Sequence, residues 1–78
     1  MAVVTLGRTP LAERIILERA ARDWSQTELA ERAGVSPSTV ALAETGSNKT
    51  SPRTLYRIAR ALGLDPIELL RLPQEGRE

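Results

Sequence analysis

Gln26-Thr27-Glu28-Leu29-Ala30-Glu31-Arg32-Ala33-Gly34-Val35-Ser36-Pro37-Ser38-Thr39-Val40-Ala41-Leu42-Ala43-Glu44 carries the pattern of two helices joined by a tight turn. Two helices that cross steeply through a tight turn make particular demands on their residues. The first needs a small residue where the second crosses closest, and Ala30 supplies it. The turn needs a residue that tolerates positive φ, and Gly34 follows four positions later. The second helix must pin itself to the core with a branched apolar residue, and Val40 comes six positions beyond. Leu29, Ala33, Val35 and Ala43 are expected to fill the remaining buried positions. An ordinary helical hairpin would satisfy parts of this pattern. The caps, the turn and the anchor standing in register favour the steeply crossed pair.

The same punctuation continues outward from this stretch. Ser25-Gln26-Thr27-Glu28 reads as a capping box, in which serine and glutamate each satisfy an orphan amide at the helix start. Thr9-Pro10 opens a helix over Leu11 to about Arg22, Ser36-Pro37 opens the third helix, and Ser51-Pro52 opens a fourth. Asp65-Pro66-Ile67-Glu68 caps a short fifth helix that stops before Pro73, while Gly34, Gly46 and Gly63 end helices two, three and four. Connections of two or three residues are expected on either side of the second helix, with nearer five before the fourth. Residues 1–10 read as an N-terminal arm, 11–72 as one domain, and 73–78 as a flexible tail.

Composition agrees with an all-helical domain. The 78 residues contain no Phe, one Trp and one Tyr, so the core must be built from Leu, Ile, Val and Ala. The absence of Cys removes disulfides and thiolate chemistry, and the absence of His removes the commonest general base and metal ligand. No cofactor, no metal and no enzymatic activity are expected. The carboxylates fall on exposed helix faces without convergent partners. Neither a signal peptide nor a membrane span is legible, so the expected location is cytoplasmic and no membrane partner is expected. A net charge of +1 conceals an uneven distribution. Between Thr45 and Leu64 stand Lys49, Arg53, Arg57 and Arg60 with no acid, inside a chain otherwise balanced or acidic. Such a segment suits a polyanion, although a solvated helix face accounts for it equally well.

The residues Trp24-Ser25-Gln26-Thr27-Glu28-Leu29-Ala30-Glu31, then Gly34-Val35-Ser36, then Glu44-Thr45-Gly46 resemble the Cro/phage-repressor helix-turn-helix family, also called the xenobiotic-response-element type. Ile58-Ala59-Arg60-Ala61-Leu62-Gly63-Leu64 and Glu68-Leu69-Leu70 are similar to that family's closing helices. The resemblance runs from about Leu11 to Leu70. It implies an all-α, five-helix, lambda-repressor-like DNA-binding domain with a central helix-turn-helix. It further implies a helix over 36–45 that enters the major groove of double-stranded DNA, often in a homodimer.

Roles follow from the resemblance position by position. Gln26 stands where the family touches a backbone phosphate at the start of helix two, a placement suited to the positive end of a helix. Arg19 and Glu44 match a buried structural ion pair between helices one and three. Thr45, Asn48, Lys49 and Arg53 flank the loop that contacts phosphates, and Ser36 and Thr39 join that set at the start of the recognition helix. Pro37, Ser38, Ala41 and Leu42 form the face expected to meet bases. That face departs from the family, which usually places Gln, Arg, Asn or Lys there to pair with two atoms of a base edge. Each such pair gives about 1–3 kcal/mol of discrimination, so readout here is expected to rest on thymine methyls, the hydroxyls and duplex shape.

Helix one departs as well. Glu18 stands where the family usually buries Leu, and Ile16 and Leu17 fall where polar residues are usual. Either the helix is rotated or part of its apolar surface meets a second chain. Ala2-Val3-Val4-Thr5-Leu6 is too apolar for a free arm and is expected to cover helix one or pair with a symmetry mate. Trp24 and Tyr56 are expected to pack at the core and its rim. The leading expectation is thus a homodimeric transcriptional regulator, a repressor by analogy, with no small-molecule effector. The alternative is an antitoxin-like or other protein-interaction module that keeps the helix-turn-helix core without its DNA face.

Overall fold

A computed structural model describes residues 9–46 and 50–71. The apolar arm and the tail beyond Pro73 lie outside the described residues, as do Asn48 and Lys49. Five helices follow in order: α1 (Pro10–Ala21), α2 (Gln26–Ala33), α3 (Pro37–Glu44), α4 (Pro52–Ala61) and α5 (Pro66–Leu70). No strand occurs among the described residues.

Each helix begins where its cap dictates. Thr9, Ser25, Ser36, Ser51 and Asp65 all take extended backbone, and each side chain accepts a hydrogen bond from an amide of the first turn. The capping box is half formed. Ser25 Oγ accepts from the Glu28 amide at 3.0 Å, but the Glu28 carboxylate turns away to accept from Arg32 Nε at 3.0 Å. A guanidinium one turn along the helix offers a charged partner, which outcompetes a neutral backbone amide.

The helix ends repeat one hydrogen-bonding pattern. After α2, the Val35 amide donates to the Ala30 carbonyl around Gly34 at φ +74°, and after α4 the Leu64 amide donates to the Ala59 carbonyl around Gly63. After α1, the Trp24 amide donates to the Arg19 carbonyl, but the residue at positive φ (61°) is Asp23. The sequence offers no glycine there. An acidic side chain is among the few that tolerate this conformation, so the stop was present but unmarked. The link between α1 and α2 is accordingly four residues long, and that between α3 and α4 is seven, both longer than expected.

The core is aliphatic. Leu11, Ile15, Leu29, Val40, Leu55, Ile58, Leu62 and Leu69 are all buried, with Ala30, Ala33, Ala43 and Ala59 where helices approach closely. Val35 is only half-buried and packs at the edge of this cluster beside Trp24. Burying one such leucine stabilises the fold by about 1.5–3 kcal/mol. α2 packs on both α3 and α4, α1 packs on α3, and α5 packs on α4. Because Val40 and Ala43 point inward, the opposite side of α3 is left facing solvent.

Candidate nucleic-acid interface

α3 is held by a hydrogen-bonded cluster centred on Glu44, which is only 4% exposed although charged. Arg19 of α1 donates to it in a forked arrangement, Nε to Oε2 at 2.6 Å and Nη2 to Oε1 at 3.0 Å. Gln26 Nε2 donates to the same Oε1 at 2.9 Å. The remaining side of the guanidinium donates through Nη1 to the Trp24 carbonyl at 2.9 Å. One arginine therefore ties α1 to the end of α3 and to the residues entering α2. A carboxylate accepting three donors, two from a planar fork, has a single favourable orientation.

Arg19 faces α3, which is the orientation an unrotated helix one gives. The helix is not rotated to hide its departures: Ile15 is fully buried, Ile16 is half-buried and Leu17 is 63% exposed. Glu18 lies between Arg14 Nε at 2.9 Å and Arg22 Nη1 at 2.8 Å. These two cations hold its carboxyl below the usual carboxylate range, Arg22 contributing most.

The outer side of α3 is neutral. Pro37 and Ser38 are exposed at its first turn, Ala41 is half-buried, and Leu42 is 40% exposed. The Thr45 hydroxyl donates to the Leu42 carbonyl at 2.6 Å, which leaves its oxygen as an acceptor. Ser36 Oγ and Thr39 Oγ1 lie 2.8 Å apart and share one hydrogen bond, so one of the two hydroxyl hydrogens is still free to donate outward. No Gln, Arg, Asn or Lys stands anywhere on the helix.

The positive potential comes from the flanks. Gln26 sits at the start of α2, as expected, but its side chain is engaged with Glu44. It retains one amide hydrogen and its oxygen, and the Gln26 and Thr27 amides beside it have no intrahelical acceptor. The cap of α2 is thus also part of the brace that orients α3. Arg53, exposed in the first turn of α4, is brought to the far end of the link that follows Thr45. Arg57 is exposed and its Nη1 donates to the Gly34 carbonyl at 3.5 Å, against the turn between α2 and α3.

Sequence reasoning did not single out Arg22 or Arg32, both of which matter to this arrangement. Arg22 Nη2 donates to the Leu62 carbonyl at 2.6 Å and so caps the end of α4. Arg32 stacks over the Trp24 ring at 4.3 Å, and Arg22 lies 5.8 Å from the same ring. The only signal for Arg22 was a cation at the C-terminal cap of α1, which many helices carry.

The helix-turn-helix family profile matches residues 15–69 of this chain. Three solved structures are similar. The N-terminal DNA-binding domain of SinR from Bacillus subtilis shares 30% identity at a TM-score of 0.69, covering 77% of this chain and 88% of that one. A hypothetical transcription factor, NHTF, from Neisseria shares 33% identity at a TM-score of 0.72, covering 86% and 74%. SinR, described as the master regulator for biofilm formation, in complex with DNA, shares 30% identity at a TM-score of 0.67, covering 77% and 97%.

Proposed function

The chain belongs to the helix-turn-helix family, and from that membership we propose that it binds double-stranded DNA sequence-specifically as a transcriptional regulator of the repressor kind. In this reading α3 lies in the major groove. Pro37, Ser38, Ala41 and Leu42 meet base edges, and Gln26, Ser36, Thr39, Thr45, Asn48, Lys49 and Arg53 hold the flanking phosphates. The observation that carries it is the outward face of α3, braced from behind by Arg19, Glu44 and Gln26 and bordered by Arg53. The DNA complex of a relative with 30% identity over 97% of its length supports the same partner.

The proposed assembly is a homodimer, with two recognition helices about 34 Å apart reading successive major grooves on one face of a palindromic site. The proposed domain is residues 11–72, between an arm (1–10) and a tail (73–78). It acts without catalysis, cofactor or small-molecule effector. Among the described residues no helix is long and apolar enough to cross a membrane, and the proposed location is the cytoplasm.

Selection from a pool of randomised duplexes tests this directly. Two symmetric half-sites one helical turn apart are expected. A pool showing no enrichment over bulk DNA at low salt defeats the reading. The second reading, a protein-interaction module, is favoured by one specific observation: the exposed side of α3 is apolar and uncharged, with Leu42 40% open to solvent. Replacing Lys49 and Arg53 by Glu separates the two, because it abolishes a DNA complex and spares an apolar contact.

A further inference from the structure

A cleft of about 420 Å³ opens between the end of α2 and the outer side of α4, lined by Arg32, Ala33, Tyr56, Arg57, Arg60 and Ala61. None of these residues belongs to α3 or to the link that follows it, and none is acidic. Arg57 and Arg60 have no carboxylate within 4.0 Å among the described residues, where the ion pairs are those of Arg14, Arg19, Arg22 and Arg32. Their partners are neutral: the Gly34 carbonyl for Arg57, and the Tyr56 hydroxyl at 3.3 Å for Arg60. A guanidinium carries five N–H donors, so most of this capacity is unspent. Arg32 is held at the cleft edge by Glu28 and the Trp24 ring. Beside the cations lie the half-buried Ala61 and Tyr56, a residue 46% exposed, over the buried Ala33.

This is not the geometry of the flank that meets phosphates in the proposed DNA complex. That flank uses the first turns of α2 and α4, whereas Arg32 and Ala33 are the last residues of α2, and Arg60 stands in the last turn of α4. Arg60 is seven residues beyond Arg53, about 10 Å further along the helix. A cleft with two guanidinium groups that lack a carboxylate partner among the described residues, and with Tyr56 and Ala61 beside them, fits a short segment carrying carboxylates and an apolar side chain. We propose that this cleft docks an acidic peptide segment of a partner protein, with Glu or Asp side chains paired to Arg57 and Arg60 and an apolar side chain laid against Tyr56 and Ala61. The complementarity of charge selects the partner.

The test uses the full chain and a fluorescein-labelled peptide of alternating Glu and Leu, with a Lys-Leu peptide of equal length as control. Anisotropy reads affinity, and amide shifts of the labelled protein locate the contact. Binding of the Glu-Leu peptide only is expected, with shifts at Ala33, Tyr56, Arg57, Arg60 and Ala61. Arg57→Gln combined with Arg60→Gln is expected to weaken that complex about tenfold, and Arg60→Gln alone about threefold. Arg60→Gln alone is expected to leave the affinity for a mixed-sequence duplex at moderate salt within about twofold. Equal binding of the two peptides overturns the proposal, as do shifts confined to α3. In Arg60→Gln, a loss of duplex affinity matching the loss of peptide affinity also overturns it, because that arginine then serves DNA. Failure of the native protein to bind any duplex would instead remove the DNA reading and leave the peptide result standing.

Discussion

Replacing Glu44 by Leu removes the acceptor on which Arg19 and Gln26 converge. The change leaves a guanidinium whose side chain is only 19% exposed, keeping the Trp24 carbonyl as its one partner. Breaking a buried pair from one side costs about 3–5 kcal/mol, because the surviving charge stays desolvated. Arg19 retains one hydrogen bond and some access to water, so the lower end, about 3 kcal/mol, is expected. A chain of this size has a total stability of about 4–12 kcal/mol, of which the loss is a large part. The melting temperature is expected to fall by about 12–24 °C.

Urea unfolding followed by the fluorescence of Trp24, the only tryptophan, measures the effect, with the slope against denaturant unchanged. The sharper test is the cycle with Arg19→Met. The double variant replaces an ion pair by two apolar side chains and is expected to recover about 2 kcal/mol relative to the sum of the single losses. If Glu44→Leu costs less than about 1 kcal/mol, the pair behaves as a surface contact and the brace on α3 is not what orients it. Simple additivity in the cycle would equally show that Arg19 and Glu44 are not coupled.

Three further outcomes follow from the same geometry. Gly34→Ala is expected to cost about 1–2 kcal/mol in urea unfolding. The cause is backbone strain at φ +74° rather than a clash, since the nearest atom to an added Cβ is Arg57 Nη1 at 3.7 Å; Gly34→Asn should recover part of it. Arg53→Ala is expected to reduce the slope of log affinity against log salt by about 0.9 for the selected duplex, one phosphate contact fewer, with unfolding unchanged. Glu18 has a depressed pKa in the folded chain, so the unfolded chain takes up its proton first as the pH falls. Its contribution is complete above the ordinary glutamate value of about 4.3 and is lost below it, towards the folded value. Glu18→Gln should flatten that part of the stability profile, and an unchanged profile would show that Arg14 and Arg22 do not hold the carboxylate.

Where each helix starts and stops was legible because those signals are local. Ser25, Ser36, Ser51 and Asp65 bond to amides two or three residues away, and Gly34 and Gly63 end helices through their own backbone angles. The crossed pair was legible for the same reason: Ala30, Gly34 and Val40 lie within eleven consecutive residues. The helix-turn-helix fold was therefore set by the sequence alone. The fate of the long polar side chains was decided only in three dimensions. Gln26 could have pointed at solvent, but Glu44, 18 residues away, lies within reach. Arg22 finds its carbonyl 40 residues on, at Leu62. Leu17 is exposed although apolar, because the side of α1 that meets the core is claimed by Leu11, Ala12 and Ile15. A flexible side chain samples many directions, and tertiary packing alone determines which partner it meets.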